Sequence, residues 1–231
     1  MAPDCPGAGG LSTVIARSVT AGAALVVLVL AVGAWDQSKV WHDSETLWSW
    51  ATEIDPACSV CWNNLGTSFT EQKRHAEAEV AFRRALMLRP IRATLANNVA
   101  TALYAQGKHA EAEEMLRIAL RLDPELTGAL LNMGALRAQE GRYAEALPYL
   151  RKAFARDPRF ADLARNYALA LANHAEERRK AGYWLEAMVL LQEALAVRPG
   201  DDEARRQLDA LKAERGAAAP PRPLTPPPKP L

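Results

Sequence analysis

Proline recurs at Pro56, Pro90, Pro124 and Pro158, three successive intervals of 34 residues. A fixed period of this length means that one supersecondary unit is copied along the chain, each copy burying its apolar face against the next. Proline has no amide hydrogen and cannot continue a helix, so each of the four marks a helix boundary. Over residues 40–215 the chain is rich in Ala, Leu, Glu and Arg and sparse in Gly and β-branched residues, which favours helix throughout. The expectation is an all-α fold of helical hairpins.

With each proline taken as position 32, the first full repeat places Trp62, Leu65, Gly66 and Phe69 at positions 4, 7, 8 and 11. Ala78, Phe82 and Ala85 then fall at positions 20, 24 and 27. The second repeat has Val99, Ala100, Leu103, Gly107, Ala112, Leu116 and Ala119 at equivalent places. The third has Leu130, Met133, Gly134, Gly141, Ala146, Leu150 and Ala153. Small residues at positions 8, 20 and 27 let paired helices approach closely, and larger ones at 4, 7, 11 and 24 fill the gaps. In residue type and position this resembles the tetratricopeptide-repeat family. The resemblance implies an α-solenoid whose concave face, formed by the first helix of each repeat, binds polypeptides.

On this frame residues 40–58 form a half-repeat helix, with Trp48 and Ala51 at positions 24 and 27. Residues 59–92, 93–126 and 127–160 are three regular repeats. Residues 161–201 are a fourth, in which Ala164, Tyr167, Ala168 and Leu171 are in place but Gly182, Ala187, Leu191, Ala194 and Pro199 come seven residues late. The insertion lies within His174–Ala181 and is expected to lengthen the first helix with a charged end. Residues 202–215, starting behind Asp201, suit a capping helix carrying Leu208 and Leu211. Two positions depart from the pattern. Arg137 takes the place of a large apolar residue and is expected to reach out to solvent, and Pro148 lies inside a second helix, where a bend is expected.

The two ends differ in composition from the repeats. Residues 1–13 and the Pro-rich residues 216–231 are expected to be disordered, the latter with seven prolines in 16 residues and PxxP matches that include Pro220–Pro223 and Pro227–Pro230. No charged residue occurs from Ser18 to Trp35, so residues 14–35 are expected to form a single transmembrane helix. Arg17 and the aromatic Trp35 and Trp41 flank it suitably. A cleaved signal peptide is the competing reading, since Val32-Gly33-Ala34 offers small residues to a peptidase. A single-pass membrane protein with its repeats on the extracytoplasmic side, in periplasm or lumen, is the expected placement.

Asn stands at position 6 in all four repeats, as Asn64, Asn98, Asn132 and Asn166, with Asn63 and Asn97 one residue earlier. Asn is an indifferent helix former, so its return needs a reason. A row of carboxamides can hydrogen-bond an extended peptide backbone whatever its side chains, and the resemblance implies such a groove in some repeat proteins. The alternative is that Asn satisfies neighbouring backbone. Cys58 and Cys61 form a CxxC at a helix start and can make a disulfide, with inert packing or a structural bridge favoured over redox catalysis.

Nothing in the sequence supports chemistry. There is no catalytic triad, phosphate loop or zinc-binding pattern, and no cofactor, metal or small-molecule substrate is expected. A net charge of +1, from 28 basic and 27 acidic residues, gives no field for nucleic acid. The expected role is a non-catalytic, membrane-anchored scaffold for protein or peptide partners. A second resemblance gives an alternative. Val40-Trp-His-Asp-Ser-Glu-Thr-Leu-Trp48, Asp55-Pro56 and Asn63-Asn-Leu-Gly66 are similar to the passage from membrane to repeats in membrane-embedded glycosyltransferases of the protein O-mannosyltransferase type. That resemblance implies a C-terminal repeat region presenting acceptor proteins to an active site formed by other membrane helices.

Overall fold

The computed structural model describes residues 25–33, 35 and 43–217; among these every regular element is an α-helix. Chain contacts divide it into two lobes, Met1–Leu88 and Arg89–Leu231. The N-terminal lobe contains a helical run at residues 25–33 (α1), then α2 (Ser44–Ile54), α3 (Ser59–Glu71) and α4 (His75–Leu88). The C-terminal lobe contains α5 (Ala93–Ala105), α6 (His109–Leu122), α7 (Thr127–Gln139), α8 (Tyr143–Arg156), α9 (Ala161–Lys180), α10 (Trp184–Val197) and α11 (Asp202–Ala217).

Helix ends follow the prolines. Helices α2, α4, α6, α8 and α10 stop at Ile54, Leu88, Leu122, Arg156 and Val197, each two residues before a proline. Two of these corners are closed by an aspartate: Asp55 Oδ1 accepts the Ala57 amide at 3.0 Å and Asp123 Oδ1 accepts that of Glu125 at 2.9 Å. The turns within hairpins need a left-handed residue, and Gly107, Gly141 and Gly182 supply it with φ of 76°, 74° and 84°. In the α3–α4 turn the same place is held by Lys73 at φ 62°, a conformation that a side chain with a Cβ adopts at a cost of about 1 kcal/mol.

Small residues set the distance between paired helices. Ala78, Ala85, Ala112, Ala119, Ala146, Ala153, Ala187 and Ala194, at positions 20 and 27 of the four repeats, are all fully buried. Opposite them, a Cβ on Gly66 would stand 2.6 Å from the Phe82 ring, and one on Gly134 would stand 2.5 Å from Leu150 Cγ. The glycines are therefore required by contact with large residues at position 24, and not by backbone conformation. In the N-terminal lobe α3 pairs with α4 and α2 packs on α3. Arg74 ties this lobe further, its Nη1 lying 2.7 Å from Glu45 of α2.

In the C-terminal lobe the hairpins α5–α6, α7–α8 and α9–α10 stack in chain order, and α11 closes the stack against α10. One core cluster runs from Leu130 through Leu150, Leu163, Tyr167 and Leu191 to Leu208 and Leu211. Each fully buried leucine in it contributes about 2 kcal/mol by removal from water. Helix α11 buries Ala204, Leu208 and Leu211 and leaves its charged residues outside. Its start is capped by Asp201, whose Oδ1 accepts the Ala204 amide at 3.1 Å.

All seven additional residues of the fourth repeat lie in α9, which has 20 residues where α3, α5 and α7 have 13. The extension ends in the charged run Glu176–Lys180. Pro148 is exposed and does not end α8, which continues to Arg156. Among the described residues no helix is long and apolar enough to cross a membrane. Of the expected span, residues 14–24 and 34 lie outside the described residues, as do residues 1–13 and 218–231.

Arg137 corrects an expectation. It does not reach solvent: its side chain is 7% exposed and lies between α6 and α7. Nη1 donates to Glu113 Oε2 at 2.9 Å and to Glu140 Oε2 at 3.2 Å, and Nη2 also donates to Glu113. The interhelical carboxylate at Glu113 makes burial of this charge tolerable, since a buried charge needs a hydrogen-bonded partner. Hydrogen bonding by Arg137 also holds the Glu113 carboxyl below its ordinary value of 4.5. A depressed carboxylate contributes stability that is present above the ordinary value and is lost as pH falls through the lower folded-state value. Urea unfolding should therefore show stability falling as pH drops below about 4.5. Glu113→Gln should lower stability at pH 7 by about 1–3 kcal/mol and flatten that acid dependence; an unchanged pH slope would show that this pair does not contribute to it.

Candidate functional site

The six asparagines lie on the first helices of the hairpins. Asn63 and Asn64 are on α3, Asn97 and Asn98 on α5, Asn132 on α7 and Asn166 on α9, all half-buried. In the N-terminal lobe Asn63 Nδ2 donates to Asn64 Oδ1 at 3.4 Å, and the Asn63 carbonyl accepts the Thr67 hydroxyl at 3.1 Å. In the C-terminal lobe the carboxamides of neighbouring repeats meet directly. Asn132 Nδ2 donates to Asn97 Oδ1 at 3.0 Å and to Thr101 Oγ1 at 3.1 Å. Thr101 in turn donates to the Asn97 carbonyl at 3.0 Å. Both Nδ2 hydrogens of Asn132 are thus engaged within the lobe, and its Oδ1 is the atom left for an incoming donor.

Beside this bridge, helices α5, α7 and α9, with one residue of α6 and two of α8, line two neighbouring cavities. The smaller, of about 40 Å³, is lined by Thr101, Tyr104, Leu116 and Asn132 among others. The larger, of about 280 Å³, is lined by Tyr104, Gln139, Tyr143, Asn166, Leu169 and Asn173 among others. Tyr104 and Ala135 line both, so the two cavities are neighbours on the lobe and together make up its groove. Tyr104 donates its hydroxyl to Gln139 Oε1 and remains 38% exposed, while Leu169 is 57% exposed. None of the described residues lining either cavity carries a formal charge. Such a groove offers amide groups for backbone hydrogen bonding and apolar surface for side chains. Among the described residues no three His, Cys, Asp or Glu side chains are grouped to hold a metal ion.

Sequence reasoning named Asn132 and Asn166 but missed Tyr104, Gln139, Leu169 and Asn173. A signal was available: Asn166, Leu169 and Asn173 are spaced by three and four residues, as are Asn97, Thr101 and Tyr104, so each set shares one helix face.

Cys58 and Cys61 are joined by a disulfide across the first turn of α3. Cys58 is also the N-cap, its Sγ accepting the Cys61 amide at 3.1 Å. Sulfur is a weak acceptor, so a hydroxyl at this place should cap better. Nearby, Trp62 Nε1 donates to the Pro56 carbonyl at 3.0 Å, which gives this tryptophan a structural role. Trp48 is half-buried, whereas Trp50 and Trp184 are 39% and 38% exposed.

A sequence profile of the tetratricopeptide repeat matches residues 28–96, 63–127 and 97–158, together more than half of the chain. No curated protein matches it. Among solved structures the chain is similar to YrrB, a repeat protein of that kind, at 20% identity and a TM-score of 0.55, with 79% of this chain and 87% of YrrB covered. It is similar to MamA at 17% identity and a TM-score of 0.55, covering 68% of this chain and 87% of that one. A further MamA structure aligns at 16% identity over 84% of this chain and 97% of its own, with a TM-score of 0.55. At these identities the likeness is one of fold.

The cap at Cys58 gives a test within this site. In urea unfolding, Cys58→Ser with Cys61→Ala should be more stable than Cys58→Ala with Cys61→Ala by about 1 kcal/mol; equal stabilities would mean that residue 58 does not cap α3.

Proposed function

We propose that this chain, which belongs to the tetratricopeptide-repeat family, holds extended polypeptide partners in the groove of its C-terminal lobe and acts as a scaffold without chemistry of its own. The observation that carries the reading is the pairing of Asn132 with Asn97 beside cavities lined by Tyr104, Gln139, Asn166 and Asn173. Carboxamides fixed in this way hold polar atoms at helical intervals, among them the Asn132 Oδ1 as an acceptor, which suits the amide groups of an extended backbone. Tyr104 and Leu169 add apolar surface for its side chains. Asn98 and, in the N-terminal lobe, Asn63 and Asn64 are proposed to serve the same role. YrrB, which shares the fold, is described as having an unusual peptide-binding site.

The proposed anchor is the uncharged stretch from Ser18 to Trp35, which has the length at which a bilayer span becomes favourable. The exposed apolar side chains Leu25–Leu30 support it. We place the repeats on the extracytoplasmic side, where the Cys58–Cys61 disulfide would persist.

Binding of the full chain to an array of unrelated peptides is the direct test. Asn98→Ala with Asn132→Ala should weaken captured peptides about tenfold, the effect of losing one or two hydrogen bonds, with helicity by circular dichroism unchanged. Unchanged affinity would remove the carboxamides from the binding site. For the anchor, the full chain should stay with carbonate-washed membranes, and a form starting at residue 40 should be released. Release of both would eliminate the membrane role.

A further inference from the structure

A separate cavity in the C-terminal lobe, of about 540 Å³, shares no lining residue with the groove. Its wall is formed by Tyr183, Trp184 and Leu185 at the start of α10 and by Glu214 and Arg215 in the last turns of α11. The three consecutive large side chains are 51%, 38% and 61% exposed. Isolated exposed apolar residues are ordinary, whereas these three are consecutive and line one cavity, which makes it a candidate docking surface. Arg178 lies over one face of the Tyr183 ring, 4.0 Å from its centroid. Glu186 pairs with Arg178 at 2.7 Å and Glu214 with Arg179 at 3.6 Å. The rim carboxylates are therefore already compensated, and beside the Arg215 guanidinium the cavity presents mainly aromatic and apolar surface to a ligand.

The position of the chain's end selects the occupant. Helix α11 supplies the wall and ends at Ala217, so the residues that follow start at the cavity's edge. These residues, 218–231, lie outside the described residues and contain seven prolines, the first at Pro220. Three residues span about 10 Å, so the chain length allows the prolines to reach the cavity without a long linker. A proline-rich strand is already restricted to the extended left-handed helix and loses little entropy on meeting an aromatic-lined surface. Tethering raises its local concentration to the order of millimolar.

We propose that the segment Pro220–Pro230 docks in the cavity lined by Tyr183, Trp184 and Leu185 of its own chain. The proposal is independent of peptide binding in the groove, with which it shares no residue.

It is tested in the detergent-solubilised full chain with Leu224 replaced by the photoreactive p-benzoylphenylalanine. Irradiation and peptide mass spectrometry should find cross-links within one chain to residues 183–186. Leu185→Glu places a charge in the apolar wall and should cut that yield about tenfold. Its position is exposed, so the melting temperature should stay unchanged. Trp184→Ala, which adds no charge, should lower the yield in the same way. Cross-links found only elsewhere, or only between two chains with a yield that rises with concentration, would overturn the proposal. So would an unchanged yield in both variants.

Discussion

The closeness of paired helices is the constraint on which the rest of the structure depends. Alanine at positions 20 and 27 of every repeat is fully buried, and Gly66 and Gly134 leave no room for a methyl group against Phe82 and Leu150. Hairpins held this closely fix the direction in which each first helix presents its opposite face. In the C-terminal lobe that places Asn132 within hydrogen-bonding distance of Asn97, 35 residues earlier. The groove thus follows in large part from buried alanines on the second helices, which line none of it.

The second constraint is electrostatic. With stacked hairpins, any charge that replaces an apolar position must find a partner on a neighbouring helix. Arg137 does so with Glu113, and Tyr167 does something comparable by donating its hydroxyl to Glu193 while accepting from Arg151 Nε at 3.0 Å. Burial, with the Glu193 carboxylate beside it, pushes the Tyr167 phenol up to about 12, so it stays a neutral donor across the physiological range. These polar crossings join α6 to α7 and α8 to α9 and α10, where leucine alone would leave the register of one hairpin on the next less determined.

Much of the fold was legible in the sequence because its signals are local and repeated. The prolines, the left-handed glycines and the alanine spacing each act through a few neighbouring residues and recur with one period. The lengthened α9 was legible for the same reason, since seven residues inserted between two intact patterns can be taken up as two more helical turns. The site was legible only in part. Recurrence at position 6 picked out Asn132 and Asn166, but it could not pick out Tyr104, Gln139 or Asn173, which line the groove without recurring from repeat to repeat.

By itself, then, the sequence determined helix, turn and period, because backbone restriction at proline and glycine and the spacing of small residues act over one hairpin. Tertiary structure decided what becomes of individual polar and aromatic side chains. Arg137 is buried, not solvated, because Glu113 stands opposite it on another helix. Asn97 bridges to Asn132, and Trp184 opens a cavity closed on its far side by α11. Each outcome depends on which residues from separate hairpins meet after packing, and no single repeat of the chain contains both partners.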